Sequence, residues 1–327
     1  MRVDEFDYNL PDELIAQQPL PERDGARMLV VDRATGTWED RMFRDFPCYV
    51  HEGDCLVIND SRVFPSRLYG RREHGTGRVE IFLTRQITAN TWEALVRPGK
   101  KMRTGERIIV SDELSAEILG RGEAGERIIR LDARSDLFEV LEKVGHVPLP
   151  PYIRRADTVE DRSRYQTVFA RERGSVAAPT AGLHFTPEIL ARCRAEIARV
   201  TLHVGLGTFQ PLHGDVVEKI SLHEESFVVP RDARRAIERA KRVVAVGTTS
   251  VRAIESDWAL PVTRLFLYPG AKFQRTGAML TNFHLPKSSL FILVCAFAGK
   301  DLALAAYRHA VDQKYRFFSY GDCMLIT

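Results

Sequence analysis

The chain is poor in the features that would place it outside the soluble globular class. Five cysteines occur in 327 residues, Cys48, Cys55, Cys193, Cys295 and Cys323; no two are closer than seven positions and none forms a CxxC pair. Neither a disulfide framework nor a structural zinc site is expected from that spacing. Long apolar runs are also missing: the longest, Leu290 to Ala298, has nine residues, against roughly 18 for a membrane-crossing helix. Residues 1–10 carry acids and no apolar stretch of the kind a secretion signal needs, so a cytosolic location is expected. Charge of one sign is nearly absent as an excess, with 47 Lys+Arg against 44 Asp+Glu and a net charge of +3. That balance announces no nucleic-acid binder.

Lysine itself is scarce. Nine Lys leave 38 Arg among the 47 cations, and the planar guanidinium suits phosphate contacts and base stacking. A coding bias produces the same excess, so composition leaves both readings open. The 44% hydrophobic content excludes disorder as the main state, and the length allows about two domains.

The texture changes twice along the chain. An apolar strand, Cys55 to Ile58, runs into the polar turn Asn59-Asp60-Ser61-Arg62. Six short β-type runs separated by turns follow, Arg67–Arg71, Val79–Arg85, Trp92–Arg97, Arg107–Val110, Ala116–Leu119 and Arg127–Leu131, which predict a small closed barrel or sandwich. Leu137, Val140, Leu141 and Val144 mark an amphipathic helix over 136–144, and Pro148-Leu149-Pro150-Pro151 a stiff connector. Beyond it strands alternate with helices. The expected elements are a helix from Thr186 to about Ile197, strand Val200–Val204, helix Asp232–Ala240, strands Val243–Val246 and Leu265–Tyr268, helices Ser288–Phe297 and Leu302–Lys314, and strand Met324–Ile326. The predicted architecture is an α/β mixed-sheet main domain made from residues 1–66 and 151–327, interrupted by an inserted small all-β barrel domain at 67–150.

Four glycine-bearing polar segments fall at expected strand ends or helix starts, where α/β proteins bind ligands. In Ala177 to Thr186, Thr180 and Gly182 offer a close backbone approach and His184 a proton-transfer group, or else a tight turn before a helix cap. In Thr201 to Phe209, Thr201 and His203 share one strand face, with Gly205, Gly207 and Thr208 beyond; a GxG alone is no dinucleotide fingerprint. Val243 to Arg252 ends a strand in Gly247 and continues through Thr248, Thr249, Ser250 and Arg252, a pattern suited to a carboxylate or phosphate, or to plain N-capping. Leu280 to Ser289 presents Asn282 and His284 on one face, then Lys287 before a Ser288 cap. A cation at a helix N-terminus points to an anion there unless it is merely solvated. His203, His213 and His223 lack the spacing of a metal site. The stretch Lys314 to Tyr320 either stacks bases or packs as an amphipathic strip.

In order along the chain, LVINDSRVFPSR (56–67), RPGK (97–100), VPLPPYI (147–153), YQTVF (165–169), AAPTAGLHFT (177–186), TLHVGLGTF (201–209), VGTTSVR (246–252), LTNFHLPKS (280–288) and KYRFFSYGD (314–322) make the chain resemble the S-adenosylmethionine:tRNA ribosyltransferase-isomerases of queuosine biosynthesis. The resemblance covers essentially the whole chain. It implies an enzyme that moves the ribosyl moiety of S-adenosylmethionine to the aminomethyl group of a 7-deazaguanine at the wobble position of a tRNA with a GUN-type anticodon, forming epoxyqueuosine, adenine and methionine. No prosthetic group and no metal are implied, S-adenosylmethionine is a co-substrate, and a monomer is expected. His184 and His203 become the proton-transfer candidates, with Glu225 beside them. Thr248, Thr249, Ser250 and Arg252 would hold a carboxylate or ribose hydroxyls, Asn282, His284 and Lys287 a base or phosphate, and Asp60 and Arg62 the deazaguanine. Three loops, at 194–200, 240–243 and 256–265, are shorter than the family pattern, which weakens any role expected of them in RNA contact or closure. A noncatalytic RNA-binding protein and a SAM-dependent RNA methyltransferase are the rival readings.

Overall fold

The structure is a computed structural model that describes residues 1–99, 102–122, 125–205, 207, 212 and 214–327. Lys100 of the RPGK motif, Thr208 and His213 lie outside the described residues.

Two β-systems organise the chain. A nine-stranded sheet collects β1 (Arg27–Asp32), β2 (Thr37–Met42), β3 (Asp54–Asn59), β12 (Glu196–Leu202), β13 (Glu225–Val228), β14 (Arg242–Val246), β15 (Val262–Thr263), β16 (Ala278–Asn282) and β17 (Cys323–Ile326), in the order β15-β13-β12-β3-β14-β16-β17-β1-β2. The central run β12-β3-β14-β16 is parallel throughout. Every residue of β3 is buried, as a strand covered on both faces requires. Alternation sends Cys55 and Val57 into the core beneath α6 (Ser289–Ala298) and α7 (Lys300–Asp312), and Leu56 and Ile58 into the opposite core with Phe43, Phe46 and Phe185.

The six runs expected to form a β unit do so. β5 (Arg67–Arg72), β6 (Arg78–Gln86), β7 (Thr91–Arg97), β8 (Arg107–Ser111), β9 (Leu114–Arg121) and β10 (Arg127–Ala133) close into an antiparallel barrel. Its interior is filled by Leu68, Ile81, Leu83, Trp92, Ile108, Ile118 and Ile129, and α1 (Leu137–Val144) seals it with Val140 and Leu141. Asp136 caps α1 by accepting from the Glu139 amide at 3.0 Å.

Some sequence expectations need correction. The helix opening at Thr186 is α3 (Pro187–Arg192); it ends well before Ile197 because residues 196–200 are taken into β12, which pairs with β3. Leu265–Tyr268 is no strand: the Leu265 carbonyl accepts from Arg252 Nε at 3.0 Å, and the edge position goes to Val262–Thr263 paired with β13. Strands β1 and β2 escaped the sequence reading, as did the parallel clasp of β4 (Ser61–Val63) with β11 (Glu172–Ser175). Among the described residues no single helix is long and apolar enough to cross a membrane.

Candidate active site

Because β12, β3, β14 and β16 are parallel, their C-terminal ends lie along one edge of the sheet, and the polar segments read from the sequence collect there. Between them opens a cavity of about 320 Å³. Its walls come from the 3-10 turn at Thr180–His184, the loop after β12, the start of α5 (Gly247–Glu255), the end of β16 and the loop before β17. Ligand crevices in parallel sheets occupy this position.

Gly247 takes φ +86°, a left-handed value that lets β14 turn directly into α5. Val246, at the N-cap, has no side-chain acceptor for the first-turn amides, leaving donors of partial positive charge at the cavity wall. Thr248 and Thr249 face the cavity. Ser250 does not: its hydroxyl is committed to the Val246 carbonyl at 2.7 Å.

Arg252, on the same helix, is only 7% exposed. Its Nη1 meets the Glu225 carboxylate, its Nε donates to Leu265, and its Nη2 is buried without a partner. Glu225, 5% exposed, also accepts from the Gly205 amide at 2.9 Å. A carboxylate held by a guanidinium and an amide is an anchor, which suits it poorly to the role of free base read from the sequence.

Asn282 is oriented by three neighbours. Its Nδ2 donates to the Phe318 carbonyl at 3.0 Å and the Asp322 carbonyl at 3.4 Å, and stands 3.3 Å from His184 Nε2. Its Oδ1 is left buried and unpartnered. Thr249 Oγ1 is in the same condition. The Tyr165 hydroxyl, on another lining residue, is buried and unpartnered too. An unmet buried polar group costs about 1–3 kcal/mol, so four such groups on residues lining one cavity mark a place built for a polar ligand.

The histidines separate sharply. His284 lines the cavity; its Nε2 lies 2.7 Å from Thr281 Oγ1, and that hydroxyl is within 3.2 Å of the Asn282 carbonyl as donor. With the hydroxyl proton so placed, Oγ1 accepts from Nε2–H and Nδ1 keeps its lone pair. The Tyr8 hydroxyl holds the His284 carbonyl and Tyr307 accepts from its amide. Burial lowers the imidazole to about 3, so it is neutral. His184 is also neutral, lowered to about 4 chiefly by burial, but sits behind Asn282 and is absent from the cavity lining. His203 is lowered by burial too; its ring packs on Gly174, where a Cβ would come within 2.8 Å.

The remaining sequence candidates take other places. Thr180 lines the cavity, whereas Gly182 makes room for Phe169 and Thr167, which a Cβ there would meet at 2.7 and 2.8 Å. Asp60 is buried, its carboxyl raised by desolvation and bonded by Thr201 Oγ1 at 2.7 Å. Arg62 pairs with Glu142 of α1 at 3.3 Å. Lys287, 43% exposed, pairs with Asp7 at 2.9 Å and Asp4 at 3.4 Å, so the anions its position called for belong to the chain itself.

Sequence reasoning missed Tyr152, Tyr165 and Thr281 as site residues. Tyr152 stacks on Phe318 with ring centroids 4.3 Å apart, and both line the cavity. Phe318 adopts φ +69°, the left-handed region that a phenylalanine rarely occupies. The strip 314–320 thus splits: Tyr315 and Phe317 are fully buried in the core, while Phe318 and Ser319 face the cavity. Aromatics beside the proline-rich connector were the available signal.

Comparison with known proteins finds relatives over the whole chain. The family model described as queuosine biosynthesis protein matches residues 3–326. The S-adenosylmethionine:tRNA ribosyltransferase-isomerase of Solibacter usitatus is 59% identical over 352 positions, covering all of both chains. That alignment is longer than this chain, so the relative carries residues that this chain lacks. The protein of the same name from Thermotoga maritima is 48% identical over 340 positions, again with full coverage of both. A crystal structure of the S-adenosylmethionine tRNA ribosyltransferase from Thermotoga maritima superposes with a TM-score of 0.55 at 39% identity, over 99% of this chain and 100% of that one.

Proposed function

The chain belongs to the queuosine biosynthesis protein family, and from that premise we propose that it is a cytoplasmic, monomeric S-adenosylmethionine:tRNA ribosyltransferase-isomerase. It transfers and isomerises the ribosyl moiety of S-adenosylmethionine onto 7-aminomethyl-7-deazaguanine at the wobble position of tRNAs with a GUN-type anticodon. Epoxyqueuosine, adenine and methionine are the products.

The observation that carries this reading is a trio among the unpartnered buried groups around the cavity: Arg252 Nη2, Thr249 Oγ1 and Asn282 Oδ1. S-adenosylmethionine offers each of them a complement. Its carboxylate suits the free guanidinium edge and the uncapped α5 amides, its ammonium, ribose hydroxyls and adenine amine suit the two oxygens, and its sulfonium suits the face of an aromatic such as Phe318 or Tyr152. The volume is at the scale of a small-molecule site.

The positive sulfonium acidifies the neighbouring C5′ hydrogens. His284, neutral and with a free Nδ1, is the side chain best placed to accept that proton, the electron pair remaining on carbon for ring opening and loss of adenine. His184 and His203, the sequence candidates, support the site from behind: His184 backs Asn282, and His203 lies by the β4–β11 clasp. Asp60 and Arg62, where the chain passes from β3 into β4, remain the proposed readers of the deazaguanine.

Incubation with S-adenosylmethionine and tRNA bearing the aminomethyl base should release adenine and leave epoxyqueuosine at the anticodon, detected by nucleoside mass analysis. Donor labelled in the methyl group should give labelled methionine. Label retained on the RNA would make the protein a methyltransferase, and no adenine release would reduce it to an RNA binder.

A further inference from the structure

The barrel carries an arginine arrangement that the cavity does not use. In the β5–β6 ladder Arg71 and Arg78 stand directly opposite each other, and both are exposed. Like charges in directly opposed positions of an antiparallel pair repel. Several other arginines on this barrel are neutralised: Arg72 by Glu106 at 3.1 Å, Arg130 by Glu117 at 2.6 Å, and Arg85 by Glu93. Among the described residues Arg71 and Arg78 have no carboxylate partner. Arg78 instead lies over the Tyr69 ring, 4.3 Å from its centroid, which leaves the N–H edge of a stacked guanidinium open.

These side chains line a trough. One depression of about 650 Å³ holds Tyr69, Arg71, Arg78 and His146. It shares Tyr69, Ala156 and Asp157 with a second of about 600 Å³ that adds Arg67, Arg97, Arg154 and Arg155 with Phe82. The second in turn shares Pro151 with the cavity between the sheet strands. Six arginines face three acids, Glu80, Asp112 and Asp157. Glu80 is answered by Arg67 at 3.3 Å and Asp157 by His146 at 2.9 Å, while Arg154 and Arg155 turn to Asp12 at 2.8 Å and Asp161 at 2.6 Å; among the described residues Arg71, Arg78 and Arg97 are the trough's arginines without a carboxylate partner.

We propose that this trough, running from the Arg71–Arg78 pair past Tyr69 and Phe82 to Pro151, binds the phosphate backbone of an RNA strand and leads it to the mouth of the cavity. Unpaired guanidinium groups interleaved with aromatic rings are the pattern of a single-stranded nucleic-acid groove, and the cations supply the sequence-independent part of the affinity. The proposal rests on the reading of the protein as a tRNA-modifying enzyme and adds where the RNA lies.

The test measures binding of a labelled anticodon stem-loop RNA to the full-length protein across a potassium chloride series, for wild type and for Arg71→Ala/Arg78→Ala. Loss of two phosphate contacts should weaken binding about tenfold or more and reduce the salt slope by roughly 1.5. Arg71→Lys/Arg78→Lys should retain most of the slope. S-adenosylmethionine affinity and the thermal midpoint should be unchanged in both. Unchanged RNA affinity and slope in the alanine variant would overturn the trough, even with adenine release intact. Equal competition by polyglutamate would also overturn it, as an acidic-polymer site rather than an RNA site. A reduced slope in a protein that releases no adenine would sustain the trough and sink the enzymatic reading.

Discussion

Arg252 and Glu225 form a buried ion pair that leaves one guanidinium edge free: Nη1 meets the carboxylate, and Nη2 remains unpartnered on a residue that lines the cavity. Glu225 thus holds Arg252 still while Arg252 addresses a ligand. Replacing Arg252 with Ala should raise KM for S-adenosylmethionine by one to two orders of magnitude, the value of a charge-assisted hydrogen bond. Glu225→Ala strands a buried cation and should destabilise the fold by about 3–5 kcal/mol. Denaturation midpoints together with KM separate the two roles, and an unaltered KM in Arg252→Ala would remove Arg252 from the binding site.

His284 and Thr281 make a second separable pair. His284→Ala should lower kcat by about 10² to 10⁴, the span of a general base, with donor affinity changed much less. Thr281→Val removes the acceptor for Nε2–H, so it should lower kcat in the same direction by a smaller factor. Single-turnover adenine release measures both; undiminished release in His284→Ala would end its catalytic assignment.

Stability should fall with acid in a window set by the buried histidines. His184 and His284 are lowered to about 4 and about 3 by burial, so below pH of about 6.5 the unfolded chain takes protons that the fold refuses. Their contribution is intact above that pH and is lost as pH falls, by about 3 kcal/mol for His184 near pH 4. Asp161, lowered to about 2 by Arg155 and Tyr320 against the opposing effect of burial, acts only below the ordinary carboxylate range. Urea midpoints followed from neutral pH to about pH 4.5 should therefore drop more steeply for wild type than for His184→Gln. Parallel curves would show that His184 is not held neutral by the fold.

Gly182→Ala should destabilise by about 1–3 kcal/mol through the clash with Phe169 and Thr167, while KM for the donor stays within twofold at a temperature where the variant is folded. A large KM change with unaltered stability would restore Gly182 to the substrate contacts.

Lys287→Ala removes two exposed ion pairs, with Asp4 and Asp7, which solvent and salt screen, so the thermal midpoint should hardly change. Neither KM should move. A rise in KM for RNA would make this lysine a phosphate contact after all.

Much of this was legible before any fold was known. The barrel strands show alternating patterns closed by turns, and the Thr186-Pro187 and Ser288 caps work locally, so neighbours in sequence suffice to define them. The polar strand ends were visible as glycine and hydroxyl clusters for the same reason. The helix from Thr186 was read too long because local propensity cannot see that residues 196–200 are claimed by β3. β2 passed unnoticed because its side chains face solvent and only Trp38 is partly covered.

What the sequence determined by itself was the family, the two β textures and the inventory of chemically able side chains. Tertiary structure alone decided which of them meet. Four strands separated by long stretches of chain run parallel, so their carboxyl ends share one edge, and that edge brings His284, Thr249 and the open Nη2 edge of Arg252 to the cavity while His184, His203 and Ser250 stay out of its lining. It also places Lys287 against Asp4 and Asp7, and Arg71 against Arg78. Such choices depend on strand direction and register between distant segments, and no local spacing of residues records them.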